Sequence, residues 1–416
     1  MVRKLRVVFL DGPGDAIESF RFWEQGTDNP NVTHIAFSQQ FFDACRSVDA
    51  TVLVIAEHAR LERVSGGRFT VEHWGDPTVG KSGIGYHLAV VRRAAKLFRE
   101  IIRFRADVVV STDRPYPFLL HVLRLFRIKT IINFHCVLWC MNEVPLGVRR
   151  LLNQLNGTFL RSGCTAIACV SSEVKKQVRK ISAPSTVPFV DFLPWLRART
   201  FEGISPPDIE QKPTRVLFVG RIEESKGVFD LLAVARQLRD QGRTDIVFEV
   251  CGNGSEFSRL RQETELHRLS DTFVLHGHCS RVQMREAFGR SHMVVVPTRT
   301  SFNEGFNMVI AEALLAQRPV ISSRVCPAVD YASGSIFLVT PDDGEAYGEA
   351  IVHLSDNKEA YVDLQSRSYA AGERFLEEST SYRSAFEHML GCLSRDEQIT
   401  SREINPEFPS HSGRSA

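Results

Sequence analysis

The chain has 416 residues, too many for one ordinary hydrophobic core, and this length suggests two domains of roughly 200 residues each. Hydrophobic residues make up 43% and charged residues 24%, with a net charge of +2. This is the composition of a soluble globular protein, and it gives no reason to expect a nucleic-acid partner. No stretch approaches the roughly 20 apolar residues that span a bilayer, so any membrane contact is expected to be peripheral. The nine cysteines are odd in number and scattered without pattern. The basic start at 1–6 is followed by an apolar run at 7–10 that is too short for a signal core, and the cysteines read as free thiols of a cytoplasmic protein.

The first half alternates short β-branched apolar runs, at 5–11, 51–56, 107–111, 129–134 and 165–171, with helical segments. Near-continuous apolar runs of this kind indicate strands covered on both faces, as in parallel sheets. The first run leads into Gly12-Pro13-Gly14-Asp15, a glycine loop at a strand end. Gly75-Asp76-Pro77-Thr78-Val79-Gly80-Lys81-Ser82 matches the phosphate-cradling pattern Gly-x4-Gly-Lys-Ser letter for letter. Such a loop needs a buried strand before it and a helix opening at the lysine. Residues 69–74 contain Glu72 and His73, which suit a central strand poorly, and Gly83 and Gly85 weaken the first helical turn. A P-loop nucleotide hydrolase, with Asp113 as a magnesium-coordinating acid, therefore stays as the rival reading. Residues 92–105 form a basic amphipathic segment, and 121–129 adds Arg and Lys among apolar residues. The pair is either an ordinary surface or a face for an anionic membrane. His135 follows the strand at 129–134, as a ligand-facing residue or a structural one. Cys136 and Cys140 beside it lack a second Cys/His pair at zinc spacing.

Prolines at 184, 188, 194, 206, 207 and 213 mark a linker, which divides the chain into an N-terminal unit at 1–190, a linker at 191–212 and a C-terminal unit at 213–370. A helix at 371–394 is expected to pack back on the N-terminal unit, and the polar tail at 395–416 is expected to be disordered. In the second half, strands are predicted at 215–220, 245–251, 272–276, 293–297, 319–322 and 335–339, with helices at 228–241, 255–269 and 281–290. Strand–helix alternation through both halves predicts an α/β protein of two doubly wound parallel-sheet, Rossmann-like domains.

Chemistry concentrates in the second half. The strand ending at Gly220 is followed by Arg221 and Lys226, a guanidinium fork and a point charge where an anion would arrive. Cys251-Gly252-Asn253-Gly254 is a second strand-to-helix loop, whose glycines allow close backbone approach to a ligand or make only a tight turn. The third is Asn303-Glu304-Gly305-Phe306-Asn307, opening a helix near Phe306 whose N–H groups favour a phosphate or sugar oxygen. Glu312, eight residues on, has apolar neighbours nearly all round, so it is a buried carboxylate in need of partners. A ribose diol would supply two donors, and an internal ion pair is the alternative.

Taken together, Val219-Gly220-Arg221 with Lys226-Gly227, Gly252-Asn253-Gly254, the strand at 294–297 and the Glu304/Glu312 pair resemble the retaining glycosyltransferases of family 4, the glycosyl transferases group 1, which have the GT-B fold. The resemblance implies two Rossmann-like domains facing a cleft and transfer of a sugar from a nucleotide-sugar donor, UDP- or GDP-linked, to a glycan or lipid-linked acceptor. It also implies retention of configuration and no cofactor or metal, in keeping with the absence of any Asp-x-Asp. By that resemblance Arg221 and Lys226 bind the diphosphate, and Glu304 faces the donor sugar with His135 close to it. Gly220, Gly252, Asn253, Gly305, Phe306 and Asn307 lie along the donor, Glu312 holds the ribose, and Gly12 and Gly14 lie near the sugar. Pro13 and Asp15 depart from the family's usual loop. A sugar-nucleotide epimerase on the same fold is the nearest alternative.

Overall fold

The structure is a computed structural model that describes residues 3–113, 116–332 and 334–406. Its strands are β1 (Arg6–Pro13), β2 (Thr51–Glu57), β3 (Arg63–Gly66), β4 (Phe69–Trp74), β5 (Val108–Thr112), β6 (Lys129–Phe134), β7 (Ala166–Cys169), β8 (Phe189–Asp191), β9 (Thr214–Val219), β10 (Ile246–Cys251), β11 (Phe273–Gly277), β12 (Met293–Val296), β13 (Val320–Ser322) and β14 (Ile336–Leu338). Its helices are α1 (Ala16–Glu24), α2 (Phe37–Ser47), α3 (Gly83–Phe104), α4 (Gly147–Ser162), α5 (Ser172–Ser182), α6 (Val228–Asp240), α7 (Phe257–Leu266), α8 (Arg281–Arg290), α9 (Met308–Leu315), α10 (Gly344–Asp356), α11 (Lys358–Gly372) and α12 (Tyr382–Ser394).

Two sheets result. The N-terminal sheet runs β3-β4-β2-β1-β5-β6-β7-β8 and the C-terminal one β11-β10-β9-β12-β13-β14. Every pairing is parallel except β3 with β4. The apolar runs explain this: Val7, Val8, Phe9 and Leu10 are all buried although successive side chains point to opposite faces, so helices must cover both sides. The result is two Rossmann-like halves, as the resemblance implies.

Three strands escape the pattern of continuous apolar runs. The segment at 69–74 is a strand after all: it pairs in parallel with β2 and lies one place from the sheet edge, covered outward by β3. Its alternating burial leaves Thr70 and Glu72 partly exposed and, at 3% exposure, sinks His73 into the interior. The third, β8, has three residues and lies in the proline-rich stretch.

The chain ends on the N-terminal half. α12 packs on α2, with Phe386 against Phe41 at 5.3 Å between ring centroids and Tyr382 against Phe37 at 5.2 Å. The expected disordered tail is corrected over its first part. Residues 395–406 are ordered: Ile399 is buried, the Asp191 N–H donates to the Arg402 carbonyl at 2.8 Å, and the Ile404 N–H donates to the Asp191 carboxylate at 3.0 Å. The rest of that tail, 407–416, lies outside the described residues. Among the described residues no helix is long and apolar enough to cross a membrane, and all nine cysteines are free thiols.

Candidate functional site

The second-half loops meet at one place. β9 ends at Val219, and the chain turns through Arg221 and a short 3-10 turn at Glu224–Lys226 before α6. β12 ends at Val296, and the chain passes through Phe302 and Glu304 before α9. The Lys226 ammonium lies 2.7 Å from Glu304 Oε2 and 3.6 Å from the centroid of the Phe302 ring, while the Arg221 guanidinium lies 5.4 Å from that same ring. Phe302 is thus a platform under both cations, which a reading focused on charge overlooks; an aromatic between two polar loops is its only sequence signal. Arg221 is 59% exposed in its side chain and pairs with Glu223 at 2.6 Å, so it is free to be re-paired by an arriving anion. Lys226 and Glu304 are largely buried, at 13% and 10% side-chain exposure.

The turn before α9 is built for acceptor-rich ligands. Asn307 takes a φ of 82°, and its amide donates to Glu304 Oε2 at 3.0 Å, leaving its own Oδ1 buried with no partner among the described residues. α9 opens at Met308, two residues later than expected, and no side chain caps it. The Gly305 carbonyl accepts from the Ser171 hydroxyl at 2.7 Å and the Phe306 carbonyl from the Ala328 N–H at 2.9 Å. Among the described residues, no hydrogen-bond acceptor meets the N–H groups of Gly305, Phe306 and Asn307. Unmatched N–H groups at a helix start attract anionic or hydroxyl oxygens. The Phe306 ring itself faces the core, against Tyr331 and Phe375, so only its backbone is available here.

Beside this turn lies a cleft of about 320 Å³, lined by Gly220, Arg221, Gly252, Asn253, Met308 and Glu312 among others. That size falls in the range of small-molecule sites. Gly252 earns its place through the protein's own backbone: a Cβ there would lie 1.8 Å from the Gly220 carbonyl oxygen. The close approach expected toward a ligand is thus an approach between the two loops. Gly12 and Gly14 are not among the residues lining this cleft, and the space beside each is open.

Glu312 is 5% exposed and bonded by the Thr33 hydroxyl from the N-terminal half. Burial pushes its carboxyl from 4.5 up to about 7, with the Thr33 bond pulling the other way. An unfolded chain therefore ionises Glu312 at a lower pH than the folded one does. Between 4.5 and about 7 the folded state holds more protons, so this group's contribution to stability falls as pH rises and levels off above 7. The ligand-free Glu312→Gln variant should match the parent at pH 4 and exceed it by up to about 3 kcal/mol at pH 8, as read by urea unfolding.

The N-terminal half supplies the opposite wall. His135 follows β6 and sits among Phe37, Phe192 and Tyr382, with ring centroids 4.5, 5.3 and 5.5 Å away. Burial drives it down to about 3, so it is neutral, and its Nε2 accepts from the Asn133 amide at 2.9 Å. Asp113, at the end of β5, has a surface open to the cleft, but the protein mass around it pushes its carboxyl up to about 7 against the pull of the His135 and Cys136 N–H groups at 3.0 and 3.4 Å. Asp113 lines a neighbouring cavity together with Asn303 and Phe302, a placement that no local sequence pattern encodes. Gly305 abuts this wall: a Cβ there would lie 1.6 Å from the His135 carbonyl oxygen.

The Gly75–Ser82 segment does sit between a strand and a helix, since β4 precedes it and α3 follows. It does not form a cradle. The Thr78 N–H and hydroxyl both donate to the Asp76 carboxylate, at 2.8 and 2.6 Å, and the Lys81 N–H donates to the Thr78 carbonyl at 2.9 Å. A carboxylate thus occupies both Thr78 donors, and α3 opens at Gly83 rather than at the lysine. Among the described residues no group of three or more His, Cys, Asp or Glu side chains gathers as a metal site.

Residues 202–371 match the family described as Glycosyl transferases group 1. The chain is 28% identical over 159 residues to the 2-deoxystreptamine N-acetyl-D-glucosaminyltransferase of Niallia circulans, a match over 38% of each chain. It is 24% identical over 235 residues to the phosphatidylinositol N-acetylglucosaminyltransferase gpi3 subunit of Schizosaccharomyces pombe, covering 55% of this chain and 49% of that one. The matches thus span half or less of these curated relatives. Among solved structures, 94% of the chain superposes on 99% of a sucrose-phosphate synthase from Thermosynechococcus elongatus, with TM-score 0.68 and 15% identity. It superposes over the same shares on an Escherichia coli trehalose-6-phosphate protein bound with UDP-2-fluoro glucose, with TM-score 0.70 and 13% identity. Residues 202–371 are therefore a glycosyl transferases group 1 domain, set in a chain with the GT-B fold.

Proposed function

We propose that this protein is a retaining glycosyltransferase that takes its sugar from a nucleoside diphosphate sugar and uses no metal. The observation that carries the proposal is the convergence of Lys226, Arg221 and three unmatched N–H groups, at Gly305, Phe306 and Asn307, around Glu304. In transfer the acceptor oxygen bonds to the anomeric carbon, the bond from that carbon to the diphosphate oxygen breaks, and the acceptor proton leaves with the diphosphate or solvent. Negative charge grows on the departing oxygen. Lys226 and Arg221, once re-paired onto the diphosphate, stabilise it together with the N–H donors, which is the task a metal performs elsewhere. Lys226 exchanges its bond to Glu304 for the diphosphate and leaves Glu304 and the Asn307 amide facing the sugar. Glu312 accepts from the ribose hydroxyls in place of Thr33. His135, neutral at working pH, offers a hydrogen bond rather than a charge.

Uridine is the first base to try, because the E. coli neighbour holds a UDP sugar and the Anabaena neighbour, with TM-score 0.63, holds UDP. The test is release of nucleoside diphosphate from UDP-, GDP-, ADP- and CDP-hexoses with acceptor present, in buffer containing a chelator. Release with one base and a retained anomeric configuration supports the reading. Sugar interconversion without acceptor would instead indicate an epimerase, and no turnover of any donor would end the proposal. Lys81→Ala is expected to leave transfer unchanged within twofold; loss of activity in that variant would restore the Gly75–Ser82 loop as a nucleotide site.

A further inference from the structure

The N-terminal half contains an apolar chamber that the donor site does not use. It encloses about 220 Å³ under α3 and the 3-10 segment Pro117–Phe126. Its walls are Val90, Ala94 and Leu97 on one side and Leu119 and Leu123 on the other, with Leu10 at the carboxyl end of β1. Its rim is polar: the Arg93–Glu57 ion pair at 3.1 Å, and Tyr116, whose hydroxyl lies 2.6 Å from His87 Nδ1. Tyr86 and Tyr116 also line a second cavity, which contains Asp113, Cys136, Asn303 and Phe302. Phe302 is the platform under Lys226 and Arg221. The apolar chamber and the cavity beside the donor cations are therefore neighbours that share Tyr86 and Tyr116 as a common wall.

The chamber also reaches the outside. Val122 lines it and is 41% exposed. Around it the outer surface carries Leu88 and Val91 of α3 with Leu125 and Phe126, all at least half exposed, among exposed Arg92, Arg99 and Arg124. Phe126 packs on Phe98 of α3 at 5.3 Å, so the two walls form one surface. Apolar side chains interleaved with arginines suit the boundary of an anionic bilayer.

On the reading of the chain as a glycosyltransferase, we infer that its acceptor is an amphiphile, with the hydroxyl-bearing head beside Asp113 and Asn303 and its hydrocarbon chain in the chamber between α3 and Pro117–Phe126. A water-soluble glycan would leave the leucine and valine walls unfilled. A lipid chain buries them and enters from the face where those walls meet solvent.

The test uses methyl, hexyl, octyl and decyl β-D-glucosides below their aggregation concentrations, titrated calorimetrically into the full chain. Affinity should tighten with chain length, up to about fourfold for each methylene that enters the chamber. Ala94→Trp and Val90→Trp, which fill the chamber, should flatten that dependence while the Tm shift produced by UDP persists, which also reports that each variant is folded. A diazirine-bearing octyl glucoside should cross-link within 83–104 or 117–126. Equal affinity for methyl and decyl glucosides, a chain-length dependence that survives both variants, or cross-links elsewhere would each overturn the inference. A UDP shift without chain-length dependence removes the amphiphile and keeps the donor reading, whereas chain-length dependence without a UDP shift removes the donor reading.

Discussion

Lys226→Ala is expected to lower the rate of sugar transfer by about 10²–10³, the cost of losing one preorganised partner for a developing oxyanion. Two consequences separate this loss from general damage. First, the substitution leaves the Glu304 carboxylate, 9% exposed, with the Asn307 amide but no cation beside it, so the ligand-free protein should lose stability as well. Lys226→Ala combined with Glu304→Gln should recover that stability, because no buried charge is then stranded, but it should not recover transfer. Second, Arg221→Ala should lower kcat less than Lys226→Ala does. Arg221 is more than half exposed and its charge is screened by solvent, whereas Lys226 is held between a ring and a buried acid. Steady-state kinetics on the three variants, with urea unfolding alongside, reads all of this.

Gly305→Ala is expected to be nearly as damaging, for a different reason. The alanine Cβ would stand 1.6 Å from the His135 carbonyl oxygen, a backbone atom at the end of β6 that cannot step aside as a flexible side chain would. Relief requires the two halves to separate locally. The Ser171 bond to the Gly305 carbonyl and the Cys140 thiol's contact with Asn303 at 2.9 Å lie along the same seam. A displacement of about 1 Å between donor and acceptor costs on the order of 10²-fold in rate. UDP affinity should change less than kcat, because Gly305 contributes one N–H to the diphosphate whereas Arg221, Lys226 and Glu312 keep their places in the C-terminal half. A variant with parental kcat would mean that the seam at Gly305 does not set the distance between the reacting groups.

Much of this architecture could be read from apolar runs, and the reason is burial on both faces. Val7 through Leu10 and Met293 through Val296 stand out because helices cover each side of a parallel sheet. β4 was hidden by the same logic: near the sheet edge, Glu72 is free to face solvent, and a polar residue at alternate positions looks unlike a core strand. The meeting of the second-half loops was legible because Arg221, Lys226 and Glu304 are charged residues that follow strand ends, and the structure brings Lys226 onto Glu304. Contacts between the halves were not. Thr33 bonds to Glu312 across 279 residues of chain, and Gly305 meets His135 across 170; no local pattern encodes such a pairing. The chamber was invisible for a related reason, since Ala94 and Leu123 look like ordinary helix–sheet packing until the shape of the space between them is known.

A crystal structure of the protein soaked with UDP tests the central claim most directly. The diphosphate should lie within hydrogen-bonding distance of Lys226, Arg221 and the N–H groups of Gly305–Asn307, with the ribose hydroxyls on Glu312 and Thr33 displaced from that carboxylate. UDP bound at the Gly75–Ser82 loop, or a diphosphate that leaves the Lys226–Glu304 pair untouched, would contradict the account.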